Sequence, residues 1–97
     1  MEQKVAIVTG ANAGLGFATA KKLCDEGIRT YIIGRNKEKT EKALKELGAY
    51  ARACILDLTE LEKIPQAIRQ IAAEAGRIDI LVNNAGINMK KEFLEVE

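Results

Sequence analysis

The segment Thr9-Gly10-Ala11-Asn12-Ala13-Gly14-Leu15-Gly16 constrains this chain more than any other. It follows the run Lys4-Val5-Ala6-Ile7-Val8-Thr9, which is short, apolar and rich in β-branched residues, and which stops at glycine as a buried parallel strand does. Beyond it, from Leu15 to Glu26, the apolar positions Leu15, Ala18, Leu23 and Cys24 recur at helical spacing. A glycine at the strand end permits a tight turn, and a glycine further on lets the backbone approach an anion. The helix start then offers N–H groups and the positive end of its dipole. The expectation is a diphosphate received by amides where strand hands over to helix. A plain glycine-rich turn is the competing reading, and the strand-turn-helix setting argues against it.

The rest of the chain repeats this alternation. Gly27 can cap the first helix, Arg29 to Ile33 forms a second β-branched run ended by Gly34, and Asn36 can cap a second helix with Ala43, Leu44 and Leu47 inward and Gly48 at its end. Tyr50 to Leu56 reads as a third strand, after which Thr59 and Glu62 have capping-box spacing. A proline deep in a helix loses a hydrogen bond and clashes with the preceding turn. The third helix is therefore expected from Pro65, at its first position, to Ala75, with Ile64, Ile68, Ile71, Ala72 and Ala75 as its apolar stripe and Gly76 as its stop. Asp79 to Val82 is the fourth strand.

Strands alternating with helices through short connections imply a parallel sheet with right-handed crossovers. The expected fold is α/β, a partial Rossmann (doubly wound) parallel sheet of four strands in order 3-2-1-4 with helices on both faces. Residues 1–97 read as one truncated unit, with a βαβαβαβ core over 1–87 and a tail over 88–97 that opens a further helix or is disordered.

Composition excludes several classes of function. Fifteen Lys and Arg against fourteen Asp and Glu give a net charge of +1, so nothing broad attracts nucleic acid or an anionic membrane, and any anion site is local. No apolar run approaches the ~20 residues that span a bilayer, and acidic Glu2 argues against a signal peptide. A cytoplasmic protein is expected. Histidine is absent and Cys24 and Cys54 match no metal-ligand spacing, so no metal site is expected and both thiols read as reduced, small hydrophobes.

A second signal follows strand two. An acid there would hold the ribose 2′-hydroxyl of NAD, whereas an arginine accommodates the 2′-phosphate of NADP. Here the sequence is Gly34-Arg35-Asn36, and a guanidinium fork suits a phosphate that a carboxylate would repel, so NADP(H) is favoured over NAD(H). A solvated arginine near a helix start is the alternative.

Taken together, these residues resemble the N-terminal part of the short-chain dehydrogenase/reductase family. Its pattern Thr-Gly-x-x-x-Gly-x-Gly matches Thr9, Gly10, Gly14 and Gly16; its acid after strand three matches Asp57 in Asp57-Leu58-Thr59; its Asn-Asn-Ala-Gly matches Asn83-Asn84-Ala85-Gly86. The resemblance spans nearly the whole chain. It implies that Asp57 contacts the adenine ring, and that the Asn-Asn-Ala-Gly segment supports the sheet and lines the adenosine ribose. The residues expected at the cofactor are Thr9, Gly10, Asn12, Ala13, Gly14, Leu15, Gly16, Arg35, Asn36, Asp57, Leu58, Asn83, Ala85 and Gly86. For Asp57, support of the loop before helix three stays open, as does a structural role for Asn84.

The resemblance also shows what is missing. The family's catalytic serine has no counterpart, since the chain contains no serine, and its Tyr-x-x-x-Lys fails because Tyr31 is followed four residues on by Arg35 and Tyr50 by Cys54. Both tyrosines read as core or sheet-face aromatics. No catalytic residue is assigned, and the chain alone is expected to be inactive. In the full strand order 3-2-1-4-5-6, strand four is interior. Here it is expected to be an apolar edge that pairs with a second copy or with a complementing C-terminal half. Two other readings stay open: a non-enzymatic nucleotide-binding or interaction module assembling through that edge, and an extended-type epimerase or reductase, whose usual glycine spacing differs from that of Gly10, Gly14 and Gly16.

Overall fold

The computed structural model describes residues 3–11 and 14–84; Asn12, Ala13, Ala85, Gly86 and the tail expected over 88–97 lie outside them. The elements run β1 (Val5–Thr9), α1 (Gly14–Asp25), β2 (Arg29–Gly34), α2 (Lys37–Leu47), β3 (Ala51–Ile55), a 3-10 turn (Leu61–Lys63), α3 (Ile64–Ala75) and β4 (Ile80–Asn83). All strand pairs are parallel and the order is β3-β2-β1-β4, as the alternation and short connections require.

Register places the two cores. Ile7 lies opposite Tyr31 and Leu81, and one step along the strands Val8 lies opposite Ile32 and Val82. Because side chains alternate across a strand, the first set faces α3 and the second faces α1 and α2. Val5, Ile7, Tyr31 and Ile33 thus pack with Ile64, Ile68 and Ile71 of α3, while Val8, Ile32 and Ala51 pack with Ala20, Cys24, Ala43 and Leu47. With both faces covered, β1 is buried at every position, which is why its sequence is a continuous apolar run. Each isoleucine fully buried in this way contributes about 1.5–3 kcal/mol.

The helix ends follow local chemistry. After α1, Gly27 N–H bonds to Cys24 O at 2.9 Å and Ile28 N–H to Leu23 O at 3.0 Å, the paired bonds of a Schellman cap. Asn36 caps α2 by accepting Lys39 N–H at 2.9 Å. The cap of α3 is Gly76, whose N–H reaches Ala72 O at 2.8 Å, and Pro65 sits in its first turn where its missing N–H costs nothing.

Three details depart from the sequence reading. Leu15 and Ala18 face solvent, and α1 buries Gly16, Ala20 and Cys24, with Phe17 and Leu23 packed at the margin of the same core and Gly16 pressed against the strand end. Thr59 with Glu62 forms no capping box, since the Thr59 hydroxyl is drawn back to Asp57 at 2.7 Å and the 3-10 turn follows Glu60 without a side-chain cap. Tyr31 is a core residue as expected, but Tyr50 precedes β3 and is exposed. Both cysteines are free; Cys24 is buried and Cys54 half-buried, and burial pushes both thiols up.

Candidate functional site

The site lies at the carboxyl ends of the strands, where an open parallel sheet gathers ligands. At the end of β1 the chain turns through Gly10 at φ +64° and enters α1 at Gly14 with φ +60°, left-handed values that side chains rarely adopt. Gly16 answers a different need. A Cβ there would run into the carbonyl oxygen of Gly10, so its missing side chain lets α1 rest directly on the strand end. At Gly14 a Cβ would meet nothing within 4 Å, and the approach to the first turn of α1 is open on that side. The first-turn amides of an α-helix have no intrahelical acceptor, and the dipole adds positive character there.

Next to this junction, a cleft of about 560 Å³ opens over the ends of β2 and β3. Its lining includes Gly10, Gly34, Arg35, Asn36, Lys39, Asp57, Leu58 and Thr59. The structure therefore brings together Gly10, Arg35, Asn36, Asp57 and Leu58 from the expected set. Gly14, Leu15 and Gly16 stand on α1 outside this lining, and Thr9 and Asn83 lie behind it in the sheet. Leu15 is 75% exposed at the mouth of the junction. Lys39 and Thr59 are additions that sequence reasoning missed. Lys39 was detectable in principle, because with Asn36 as cap it falls in the first turn of α2, one helical turn past Arg35.

Charge in the cleft is arranged by short local bonds. Thr59 donates to Asp57 Oδ1 from its hydroxyl at 2.7 Å and from its N–H at 2.9 Å, and these bonds, aided by Arg35 and Lys63, hold the Asp57 carboxyl below the usual aspartate range. Asp57 is thus a fixed acceptor, serving its own loop as well as facing the cleft. Among the described residues, no carboxylate reaches Arg35 within ion-pair distance. Two cations, Arg35 and Lys39, face a single anion across the opening.

Behind the cleft, Thr9 and the end of β4 form a second cluster. The Thr9 hydroxyl donates to Asn83 Oδ1 at 3.0 Å and accepts Asn84 N–H at 3.0 Å. Asn84 also crowds Gly10, where a Cβ would lie 3.3 Å from its carbonyl carbon. The Asn83 side chain and the Asn84 backbone N–H therefore tie strand ends together. Among the described residues, no group of three His, Cys, Asp or Glu could hold a metal, and no helix is long and apolar enough to cross a membrane.

Comparison with known proteins places this geometry. The sequence pattern of the short chain dehydrogenase family matches residues 4–97. An uncharacterised oxidoreductase of Schizosaccharomyces pombe is 40% identical over 89 residues, which cover 87% of this chain and 26% of that protein. A metagenomic short-chain oxidoreductase solved in complex with NADP is 37% identical with a TM-score of 0.82, the match covering 90% of this chain and 41% of the other. An actinorhodin polyketide ketoreductase solved with NADPH is 34% identical with a TM-score of 0.80, covering 90% of this chain and 36% of the other. The chain thus spans about a quarter to two fifths of the length of these relatives. On this match, the chain belongs to the short-chain dehydrogenase family.

Proposed function

We propose that this chain is the NADP(H)-binding part of an oxidoreductase that interconverts an alcohol and a carbonyl. The observation that carries the reading is the cleft joining Gly10 to Arg35, Asn36, Lys39 and Asp57 at the carboxyl ends of adjacent strands. In this reading the amides at the start of α1 receive the diphosphate, with the Gly10–Gly16 contact bringing the helix close enough to the strand to do so. Asp57, kept charged by Thr59, accepts from the exocyclic amine of adenine. Arg35 and Lys39 face the ribose 2′-position, where a doubly charged phosphate suits two cations. Asn36 spends its side-chain oxygen on capping α2, which leaves its amide N–H groups for a ligand. Thr9 and Asn83 support the site from behind, with Leu58 in its wall and Leu15 exposed beside the junction. The two relatives solved with NADP and NADPH support the choice of cofactor.

A bound nicotinamide cofactor would supply the hydride; this chain's own residues bind and orient its adenosine end. No serine is present and neither tyrosine has a lysine four residues on, so the chain alone is inactive in this reading, with the proton donor for the carbonyl supplied from elsewhere. The half-exposed apolar strand β4 favours association through its outer edge, with a second copy or a complementing chain.

Calorimetry with NADPH and NADH tests the reading. Tighter binding of NADPH is expected. Equal or tighter binding of NADH would overturn the role given to Arg35, and binding of neither would overturn the claim that this chain holds the cofactor by itself.

A further inference from the structure

Among the side chains that α2 buries, Thr40 is the polar one, 2% exposed beside Ala43 and Leu47. Its hydroxyl donates to Asn36 O at 2.7 Å and its backbone N–H bonds to the same oxygen at 3.0 Å. The hydroxyl also occupies the space over Gly34. A Cβ on Gly34 would collide with Thr40 Oγ1 and lie 3.4 Å from Thr40 Cβ, so the strand-end residue lacks a side chain because the helix hydroxyl sits there. On its other side Gly34 is tied to β3, its carbonyl accepting Leu56 N–H at 2.9 Å.

A threonine that bonds back to the carbonyl four residues earlier is common in helices. Here two circumstances go beyond that habit. The acceptor is the carbonyl of the N-cap residue that directly follows Arg35, and the same hydroxyl interlocks with the glycine that directly precedes it. Arg35 is therefore a single residue bracketed by two immobilised peptide units, and one buried hydroxyl touches both sides of the bracket. Fixing the backbone of a long, rotamer-rich side chain reduces the ordering cost when that side chain engages a ligand.

We infer that Thr40 is a positioning residue for Arg35: by joining Gly34 to the Asn36 carbonyl it aims the guanidinium at the 2′-position, and so sets the preference for a 2′-phosphorylated adenosine over an unphosphorylated one. This rests on the cofactor reading given above. Thr40 touches no ligand itself; it acts through the backbone of the turn.

The probes are 2′,5′-ADP and 5′-ADP, titrated calorimetrically against the 97-residue chain. Thr40→Val keeps the shape and removes the hydroxyl. It should cut the preference for 2′,5′-ADP roughly three- to tenfold while leaving 5′-ADP binding unchanged. Thr40→Ser keeps the hydroxyl and should retain the preference. Gly34→Ala should lose thermal stability, and adding Thr40→Ala should restore it, because the new methyl enters the space the hydroxyl vacates. The double variant should still lack the preference, whereas a role in packing alone would return both together.

A folded Thr40→Val chain with the wild-type preference would overturn the inference, as would a double variant that recovers preference along with stability. Should Thr40→Val fail to fold, Thr40→Ser and the double variant decide by the same criteria. If the wild-type chain shows no preference for 2′,5′-ADP, the cofactor reading itself fails and the role of Thr40 falls with it. A wild type that discriminates, beside variants that discriminate equally, removes Thr40 alone.

Discussion

The Thr9 hydroxyl donates to Asn83 Oδ1 at 3.0 Å, and through this contact the last residue of β1 is bound by its side chain as well as its backbone to the last residue of β4. Thr9 is fully buried, and its oxygen also accepts Asn84 N–H. Thr9→Val keeps the volume but leaves the Asn84 N–H and the Asn83 amide oxygen without this partner. It should cost about 1–3 kcal/mol, read as a lower urea midpoint at unchanged slope. Thr9→Ser keeps both bonds, loses one methyl, and should cost about 0.8 kcal/mol. An equal loss in the two variants would show that the methyl, not the hydroxyl, matters at this position.

Gly14 and Gly16 look alike in sequence and differ in what they do. At Gly16 a Cβ meets the Gly10 carbonyl, a backbone group that cannot swing away, so Gly16→Ala must lift α1 off the strand end. That overpacking should cost about 1–3 kcal/mol and abolish nucleotide binding. Gly14→Ala meets open space and costs only the strain of its φ of +60°, about 1–2 kcal/mol, with binding weakened less. Comparison of thermal stability and NADPH affinity for the two variants checks the order; a Gly16→Ala chain that binds as well as Gly14→Ala would refute the close-approach argument.

Arg35→Ala should separate the two cofactors. Loss of charge-assisted bonds to a phosphate is worth about 1.5–3 kcal/mol, so NADPH affinity should fall roughly 10- to 100-fold while NADH affinity stays as it was. Lys39→Ala should act in the same direction with a smaller effect, since a lysine meets a phosphate as a point charge without a bidentate fork. Salt titration provides the control: NADPH binding should weaken with ionic strength in the wild type more than in Arg35→Ala.

At the opposite end of the sheet, Asp79 ties the loop between α3 and β4 to β1. Its carboxylate receives the Arg77 guanidinium at 2.7 Å and the Val5 N–H at 2.8 Å, and Asp79 N–H returns a bond to Val5 O at 2.8 Å. The Arg77 bonds first, then the Val5 N–H, hold its carboxyl below the ordinary aspartate value of 3.8. A depressed folded-state pKa means that the stabilisation is complete above the unfolded value and disappears as pH falls through the folded one. Wild-type melting temperature should therefore drop on acidification below the ordinary aspartate range, and Asp79→Asn, already several degrees lower at neutral pH, should show a shallower acid decline. Parallel acid profiles for the two proteins would count against this link.

The outer edge of β4 gives a prediction about assembly. Ile80, Leu81 and Val82 are half-buried, and among the described residues no strand pairs on that side. The 97-residue chain should self-associate at tens of micromolar in size-exclusion chromatography with light scattering, and Ile80→Lys, which places a charge on the edge, should return it to monomer. A wild-type chain that elutes as a clean monomer would remove the proposal.

Sequence alone determined the strand order, the caps at Gly27, Asn36, Gly48 and Gly76, and the family. Each is written in local chemistry: continuous apolar runs for strands covered on both faces, Asn36 and Gly76 at helix ends, and glycine at spacings that a strand-turn-helix junction requires. What sequence left undecided is which of several equivalent partners a side chain takes. Thr59 had the spacing of a cap and bonds Asp57 instead; Leu15 and Ala18 had helical spacing and face solvent; Thr40 carried no motif and interlocks with Gly34 because α2 packs on the end of β2. Periodicity fixes a residue's angle around its own element. The distance between elements, and hence which glycine is crowded and which cation shares a cleft, is set by packing of residues far apart in the chain.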